Sequence, residues 1–406
     1  MQLLNPVSLL PAPPGCDNSR VLLCWIFGIL ALISVVTGVW QFVAAMRFPL
    51  HRRVTDKSFA PGVTLLKSLK GCDDHTRDCL RSWFTQDYAG PVQILFAVQN
   101  AADPVCEVVR SLQQEFPQAD VRLEIVSTLL GANAKVSKLA HLESLVVHEI
   151  VIISDADVKI PADLLTNIVA PLRDPKVGLV NCFYRLANPT TAAMRWEAVA
   201  INADFWSQVL QSRTLQPQDF ALGAAMALPT ARLVEIGGFR ALVDYLADDY
   251  QLGNRIAKRG YRIELCPVVV ECWDPPMGWK QVWAHQLRWA RTIRVCQPAP
   301  FAASILSNQG LWLVLFGLVS IGRLDGEVSV GTDALLIAAL VWRVLQVRQL
   351  VIQLGFSQRF PSLADVVLLK DLLNAAIWAA ALFGNTVVWR GVTYRVGRDG
   401  KLTRLI

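Results

Sequence analysis

Hydrophobic and polar positions divide the chain into three stretches, with changes of pattern near Ser58 and Pro298. Residues 21–46 are uncharged and largely apolar. At about 1.5 Å per residue this run exceeds the roughly 30 Å hydrocarbon layer, so it predicts a membrane anchor. A cleaved signal peptide is the competing reading, but the run is too long and little positive charge precedes Arg20. Over 58–297 short β-branched runs alternate with polar, helix-like stretches. Strands are expected at 63–68, 91–98, 121–126, 150–154 and 177–182, and helices at 75–86, 104–115, 136–148 and 162–171. Such alternation predicts a parallel, doubly wound α/β sheet with ligands at the carboxyl ends of its strands. Apolar segments near 302–322, 334–354 and 372–389 predict a C-terminal membrane region over 298–390, followed by a basic tail, 391–406.

Charge orients these pieces. Arg47, His51, Arg52, Arg53 and Lys57 directly follow the first span, which places the 58–297 domain in the cytoplasm and residues 1–20 outside. Three full C-terminal spans would strand Arg395, Arg398 and Lys401 outside. One segment is therefore expected to be interfacial or re-entrant, and 302–322, interrupted by Asn308, Gln309 and Gly310, is the first candidate. Arg343 and Arg348, within the middle segment, either snorkel or meet a lipid headgroup. Composition agrees with membrane residence: 53% hydrophobic and 18% charged residues, with a mean hydropathy of +0.37. A net charge of +6 without a basic block excludes a nucleic-acid surface. Nine scattered cysteines with no CxxC pair indicate neither a zinc site nor a disulfide framework, and are expected reduced and mostly buried.

Three segments carry candidate chemistry. Glu149-Ile-Val-Ile-Ile-Ser-Asp155-Ala-Asp157-Val is an apolar strand ending in two carboxylates. Hard oxygen ligands at that spacing suit Mg²⁺ or Mn²⁺ bridging a diphosphate, though two loop carboxylates also serve as caps for the helix near Pro161. A strand followed by DxD also occurs in haloacid-dehalogenase-like phosphatases. There a later acidic pair is needed, but Asp248 and Asp249 start an amphipathic helix instead of following a strand. In His285-Gln-Leu-Arg288-Trp289-Ala-Arg291-Thr-Ile-Arg294 the three arginines fall near one helical face, suited to phosphates or, on a plain membrane-surface helix, to lipid headgroups.

Taken in order, six segments resemble the ceramide glucosyltransferase family and, more closely, its bacterial relatives associated with hopanoid lipid glycosylation. They are Val63-Thr-Leu-Leu-Lys67-Ser-Leu-Lys-Gly71, Val98-Gln99-Asn100-Ala-Ala-Asp103-Pro, Asn133-Ala-Lys135-Val-Ser-Lys-Leu, Ser154-Asp155-Ala-Asp157, Ala247-Asp248-Asp249-Tyr and His285-Gln286-Leu-Arg288-Trp289. The resemblance covers about 63–294 with the flanking apolar segments. It implies a GT-A fold, a UDP-sugar donor, a divalent cation, inversion at the anomeric carbon, a membrane lipid acceptor and residence in the bacterial inner membrane. By the same resemblance Asp157, helped by Asp155, holds the metal and diphosphate, and Asp249 is the general base. Lys67, Gln99, Asn100, Asp103, Lys135 and Asp155 bind the donor, while Asp248, His285, Gln286, Arg288 and Trp289 surround the diphosphate and acceptor. Two positions depart from the pattern. Asn100 replaces the family's first aspartate, and His285 stands where Gln or Arg is usual. The expected reaction gives N-acetylglucosamine to bacteriohopanetetrol, with glucosylation of ceramide as the alternative. A processive polysaccharide synthase would carry more spans, and a lipid-binding protein with a degenerate site would have lost more than one carboxylate.

Overall fold

The computed structural model describes residues 18–321, 330–355, 363–389 and 391–405. Most of the expected N-terminal outer segment and Arg390 lie outside the described residues. The strands are β1 (Val63–Ser68), β2 (Val92–Val98), β3 (Asp120–Ile125), β4 (Ile150–Ser154), β5 (Val158–Lys159), β6 (Val177–Leu186), β7 (Ala225–Pro229) and β8 (Arg262–Cys272). They form one eight-stranded sheet in the order β3-β2-β1-β4-β7-β6-β8-β5. β4 is apolar from Ile150 to Ile153 because both faces are covered: Ile150 and Ile152 pack into one core layer, Val151 and Ile153 into the other.

The sheet is mixed, which corrects the expectation of a purely parallel one. β3, β2, β1 and β4 run parallel, with Val63 paired to Val92 and Ile150, but β7 pairs antiparallel with both β4 and β6. Around it lie α2 (Thr76–Arg81), α3 (Val105–Glu115), α4 (Ala134–Glu143), α5 (Leu164–Val169), α6 (Ala192–Val199), α7 (Trp206–Leu215), α8 (Thr230–Glu235), α9 (Asp248–Ala257) and α10 (Trp279–Cys296). A π-helical turn at Ala200–Phe205 joins α6 to α7.

The apolar segments become α1 (Asn18–Arg47), α11 (Pro298–Ser304), α12 (Gln309–Ile321), α13 (Val330–Gln353) and α14 (Leu363–Leu382). Val21–Arg47 and Thr332–Gln353 are long and apolar enough to cross a membrane. The pair Pro298–Ser307 and Gln309–Ser320, bent by 49°, is a third candidate if it counts as one span. α14 is not among them, since Asp365, Lys370 and Asp371 interrupt its apolar sequence. Both its ends rest on the catalytic domain: Val367 packs with Phe183 and Trp206, and Leu382 accepts a hydrogen bond from Arg294. The 49° bend within 298–320 makes this pair either one broken span or a re-entrant loop, in keeping with the expectation for 302–322, while α14 packs against the α/β domain. Asn308 and Gly310 bond to Asp371, and Gln309 donates to Gln346.

Arg343 neither snorkels nor meets a headgroup. It is buried between Asp204 of the π-turn (3.0 Å) and Asp371 (2.8 Å), and Lys370 contacts the same two carboxylates. Arg348 is exposed. Past α14 the chain folds into an antiparallel sheet of β9 (Thr386–Trp389), β10 (Val392–Val396) and β11 (Leu402–Arg404), which takes in the end of the expected third apolar segment and the basic tail. Eight cysteines are described, all as free thiols, six of them buried.

Candidate active site

Parallel pairing of β1 with β4 brings the carboxyl ends of both strands together, and the loop after β4 carries Asp155 and Asp157. Beneath that loop lies Lys67. It is fully buried, and its Nζ donates to the Asp155 carbonyl (2.6 Å) and Ser154 Oγ (3.2 Å) while lying 4.7 Å from the centre of the Trp83 ring. Burial lowers it to about 8. Lys67 thus supports from below the loop that carries Asp155 and Asp157. Burial, then the neighbouring charges of Asp155 and Asp274, raise Asp157 to about 7.

Asn133 accepts from the backbone N–H groups of Lys135 (3.0 Å) and Val136 (3.1 Å), capping α4 and fixing where Lys135 projects. Lys135 Nζ then reaches Asp155 Oδ1 at 2.7 Å and Asp248 Oδ2 at 3.1 Å. Burial alone would depress this ammonium, but the facing carboxylates of Asp155 and Asp248 outweigh it and hold Lys135 above its ordinary value. Asp248 and Asp249 occupy the first turn of α9, where the helix dipole favours negative charge. Burial, then Asp248, raises Asp249 to about 6. Gly223 makes room for it, because a Cβ there would lie 2.7 Å from Asp249 Oδ2.

α10 closes another side. His285 Nδ1 lies 2.7 Å from Glu197 Oε1, and Gln286 Nε2 donates to the same oxygen at 2.8 Å. Trp289 meets His285, Tyr184 and Phe205 in an aromatic wall, with ring centres 4.8–6.4 Å apart. Arg288 precedes Trp289 on this helix and is half-buried. Arg291 and Arg294, expected near phosphate, instead donate to the carbonyls of Leu382, Phe383, Gly384 and Thr386 at the end of α14. A groove of about 530 Å³ lined by Arg173, Asp174, Arg262 and Glu264 holds none of the residues expected at the site, and its charges pair among themselves or with Asp56.

The sequence profile of Glycosyl transferase family 21 matches residues 26–402. The chain belongs to this family. Among its relatives, ceramide glucosyltransferase 3 of Caenorhabditis elegans is 24% identical over 246 residues, 58% of this chain and 53% of that one. An N-acetylglucosaminyltransferase of Bradyrhizobium diazoefficiens is 24% identical over 226 residues, 53% of this chain and 45% of the relative. The family 21 chain thus spans about half the length of the relatives it matches. A solved mannosyltransferase from Pyrobaculum calidifontis, in complex with GDP-Man and Mn²⁺, superposes with a TM-score of 0.54 at 20% identity, covering 87% of this chain and 99% of that one. The likeness extends the glycosyltransferase GT-A fold to the catalytic domain.

Not every expected residue of this family 21 transferase joins the cluster. Gln99 and Asn100 are exposed at the end of β2, two strands from β4. Asp103 accepts from Gly71 N (3.0 Å) and Val105 N (3.1 Å), binding the β1 exit loop to α3. Two residues absent from the sequence reading stand out. Glu197, fully buried, orients His285 and Gln286, and Asp274, raised by burial, adds negative charge near Asp157. Glu197 lies 88 residues from His285, and its only sequence signal is a carboxylate on a helix that is otherwise apolar on the buried side.

Proposed function

We propose that this family 21 glycosyltransferase moves one sugar from a UDP-sugar to a hydroxyl of a membrane lipid, with inversion. The observation that carries the reading is Lys135 bridging Asp155 and Asp248, which gathers the carboxylates of two distant segments into one site. In the reaction the acceptor oxygen forms its bond to the anomeric carbon as the bond to the diphosphate breaks. UDP leaves with the electron pair, and Asp249 takes the hydroxyl proton. A carboxylate held near 6 is mostly ionised at neutral pH yet more basic than an exposed aspartate. Lys135 and Arg288 counter phosphate charge, and Trp289 with its aromatic neighbours shields the sugar from water.

The residues fit a divalent cation shared with the donor. Among the described residues no three His, Cys, Asp or Glu side chains converge to hold an ion alone. Asp155 and Asp157, however, are hard oxygen donors, and burial followed by the charge of Asp155 raises Asp157, which a cation would relieve. When bound, Mg²⁺ or Mn²⁺ supplies neutralising charge to the leaving diphosphate; the solved mannosyltransferase with Mn²⁺ supports that assignment.

The two spanning candidates and the basic residues after α1 support a multi-pass protein of the inner membrane with its catalytic domain cytoplasmic. With the bent pair counted as one span and α14 not crossing, three crossings return the tail to that side, where Leu402 N bonds the Asp244 carbonyl. For the acceptor, the ceramide glucosyltransferase relatives support ceramide and glucose, and the N-acetylglucosaminyltransferase supports an N-acetylhexosamine, offered here to bacteriohopanetetrol. Detergent-purified protein with Mn²⁺, UDP-glucose or UDP-N-acetylglucosamine, and either lipid is expected to yield a lipid bearing one sugar by mass spectrometry, with product lost on chelation. A polymer would make it a processive synthase. No product with any donor would sink the reading.

A further inference from the structure

The tail sheet is bonded to the segment that delivers Asp248 and Asp249. Leu402 N donates to the Asp244 carbonyl at 2.7 Å, and Tyr245 forms an antiparallel bridge with Lys401. The Tyr245 ring lies within reach of two cations, 5.2 Å from Arg255 and 5.9 Å from Lys401. Leu246 is buried with Val387, Tyr394, Val396 and Leu402, against Ala132 and Val295. Gly400, at φ 84°, makes the turn that brings Lys401 and Leu402 onto this segment.

The same segment governs α4. Asn133 N donates to the Val243 carbonyl (2.7 Å), Asn133 Nδ2 to the Tyr245 carbonyl (2.8 Å), and Ala132 N to Asp244 Oδ1 (3.0 Å). Ala247 stands at the N-cap of α9 and offers no side-chain oxygen, so no local cap fixes where the helix begins. What fixes it comes from outside.

We propose that the C-terminal sheet is a positioning element for the catalytic carboxylates. Lys401 and Leu402 hold residues 243–247 through the main chain, the Leu246 cluster holds them through packing, and Asn133 passes the same constraint to Lys135. The tail is thus part of the active-site architecture and not a cytoplasmic extension of the membrane region. The inference rests on Asp249 being the base.

The test uses the full chain in detergent with Leu402→Asp, the conservative Leu402→Met, and Asp249→Asn in parallel. In Leu402→Asp, kcat is expected to fall by about 10-fold or more, because misplacing a reacting group by ~1 Å is that costly. The dissociation constant for UDP should rise by less than kcat falls, since Lys135 shares the constraint through Asn133 while Asp155 and Asp157 stay on the β4 loop. Hydrogen exchange should quicken in the tail sheet around Leu402, at 131–136 and at 243–250, and not in the rest of the α/β domain, and Leu402→Met should restore all three. Unchanged exchange at 243–250, unchanged kcat despite faster exchange there, or a uniform rise in exchange with a lower unfolding temperature would each overturn the proposal. Should Leu402→Asp fail to fold, Leu402→Ala is read by the same measurements. Retained activity in Asp249→Asn would remove the base assignment, while the exchange pattern would still decide whether the sheet holds the segment.

Discussion

Two buried ionic clusters lie in this molecule, and they differ in arithmetic. At the junction of membrane helices and catalytic domain, Arg343 and Lys370 meet Asp204 and Asp371, two cations against two anions, all nearly buried. At the site, Lys135 and the submerged Lys67 face Asp155, Asp157, Asp248 and Asp249, with Asp274 adding to the excess. The balanced cluster is complete and locks helices together. The unbalanced one still needs positive charge, and Asp155, with a 41% exposed side chain, keeps it open to solvent. The same side chains thus make a rivet or a receptor according to stoichiometry and access.

The largest effect is expected on the unbalanced side. Asp249→Asn should lower kcat by about 10²–10⁴ while sparing UDP binding by calorimetry, because general-base catalysis is worth that much. It should leave the unfolding temperature equal or higher, since it relieves like-charge crowding with Asp248. Breaking the balanced cluster should do the reverse. Arg343→Met leaves the buried Asp204 and Asp371 with Lys370 as the one cation between them and should cost about 3–5 kcal/mol of stability, measured by thermal unfolding in detergent. The smallest effect sharpens the contrast. Lys135 lowers Asp249 against burial and Asp248, so Lys135→Gln should push that carboxyl further up. With Asp249 as the proposed base, turnover is expected to need the ionised form and to rise with pH through about 6, so in Lys135→Gln the acid limb of kcat should move to higher pH. Movement to lower pH would mean that Asp249 is not the group titrating.

Much of this was legible in the sequence because local pattern and tertiary role coincide. β4 is an apolar run closed by carboxylates, and α9 begins where an acidic pair precedes an amphipathic stretch. β7 was not, since Ala225-Met-Ala-Leu-Pro229 has little β-propensity and is a strand only because β4 and β6 flank it. β8 is long but carries Pro267, which reads as a break. Lys67 and Lys135 look alike on paper as lysines in family motifs, yet only Lys135 reaches side-chain carboxylates. The tail did carry a signal: Val, Thr and Tyr runs separated by Gly391 and Asp399-Gly400 mark a hairpin and a turn. The apolar character of 386–389 drew its first strand into a supposed span.

α14 rests on the catalytic domain at both ends and leaves Leu369, Leu372 and Leu382 exposed, with Phe383 beside them. On the proposed reading, with α14 lying against the leaflet and a lipid as acceptor, the dimension in which the acceptor is met changes. A lipid reaching the site from that side arrives by lateral diffusion within a film, so saturation is governed by its mole fraction among surrounding lipids, and the volume of water around the membrane drops out of the rate law.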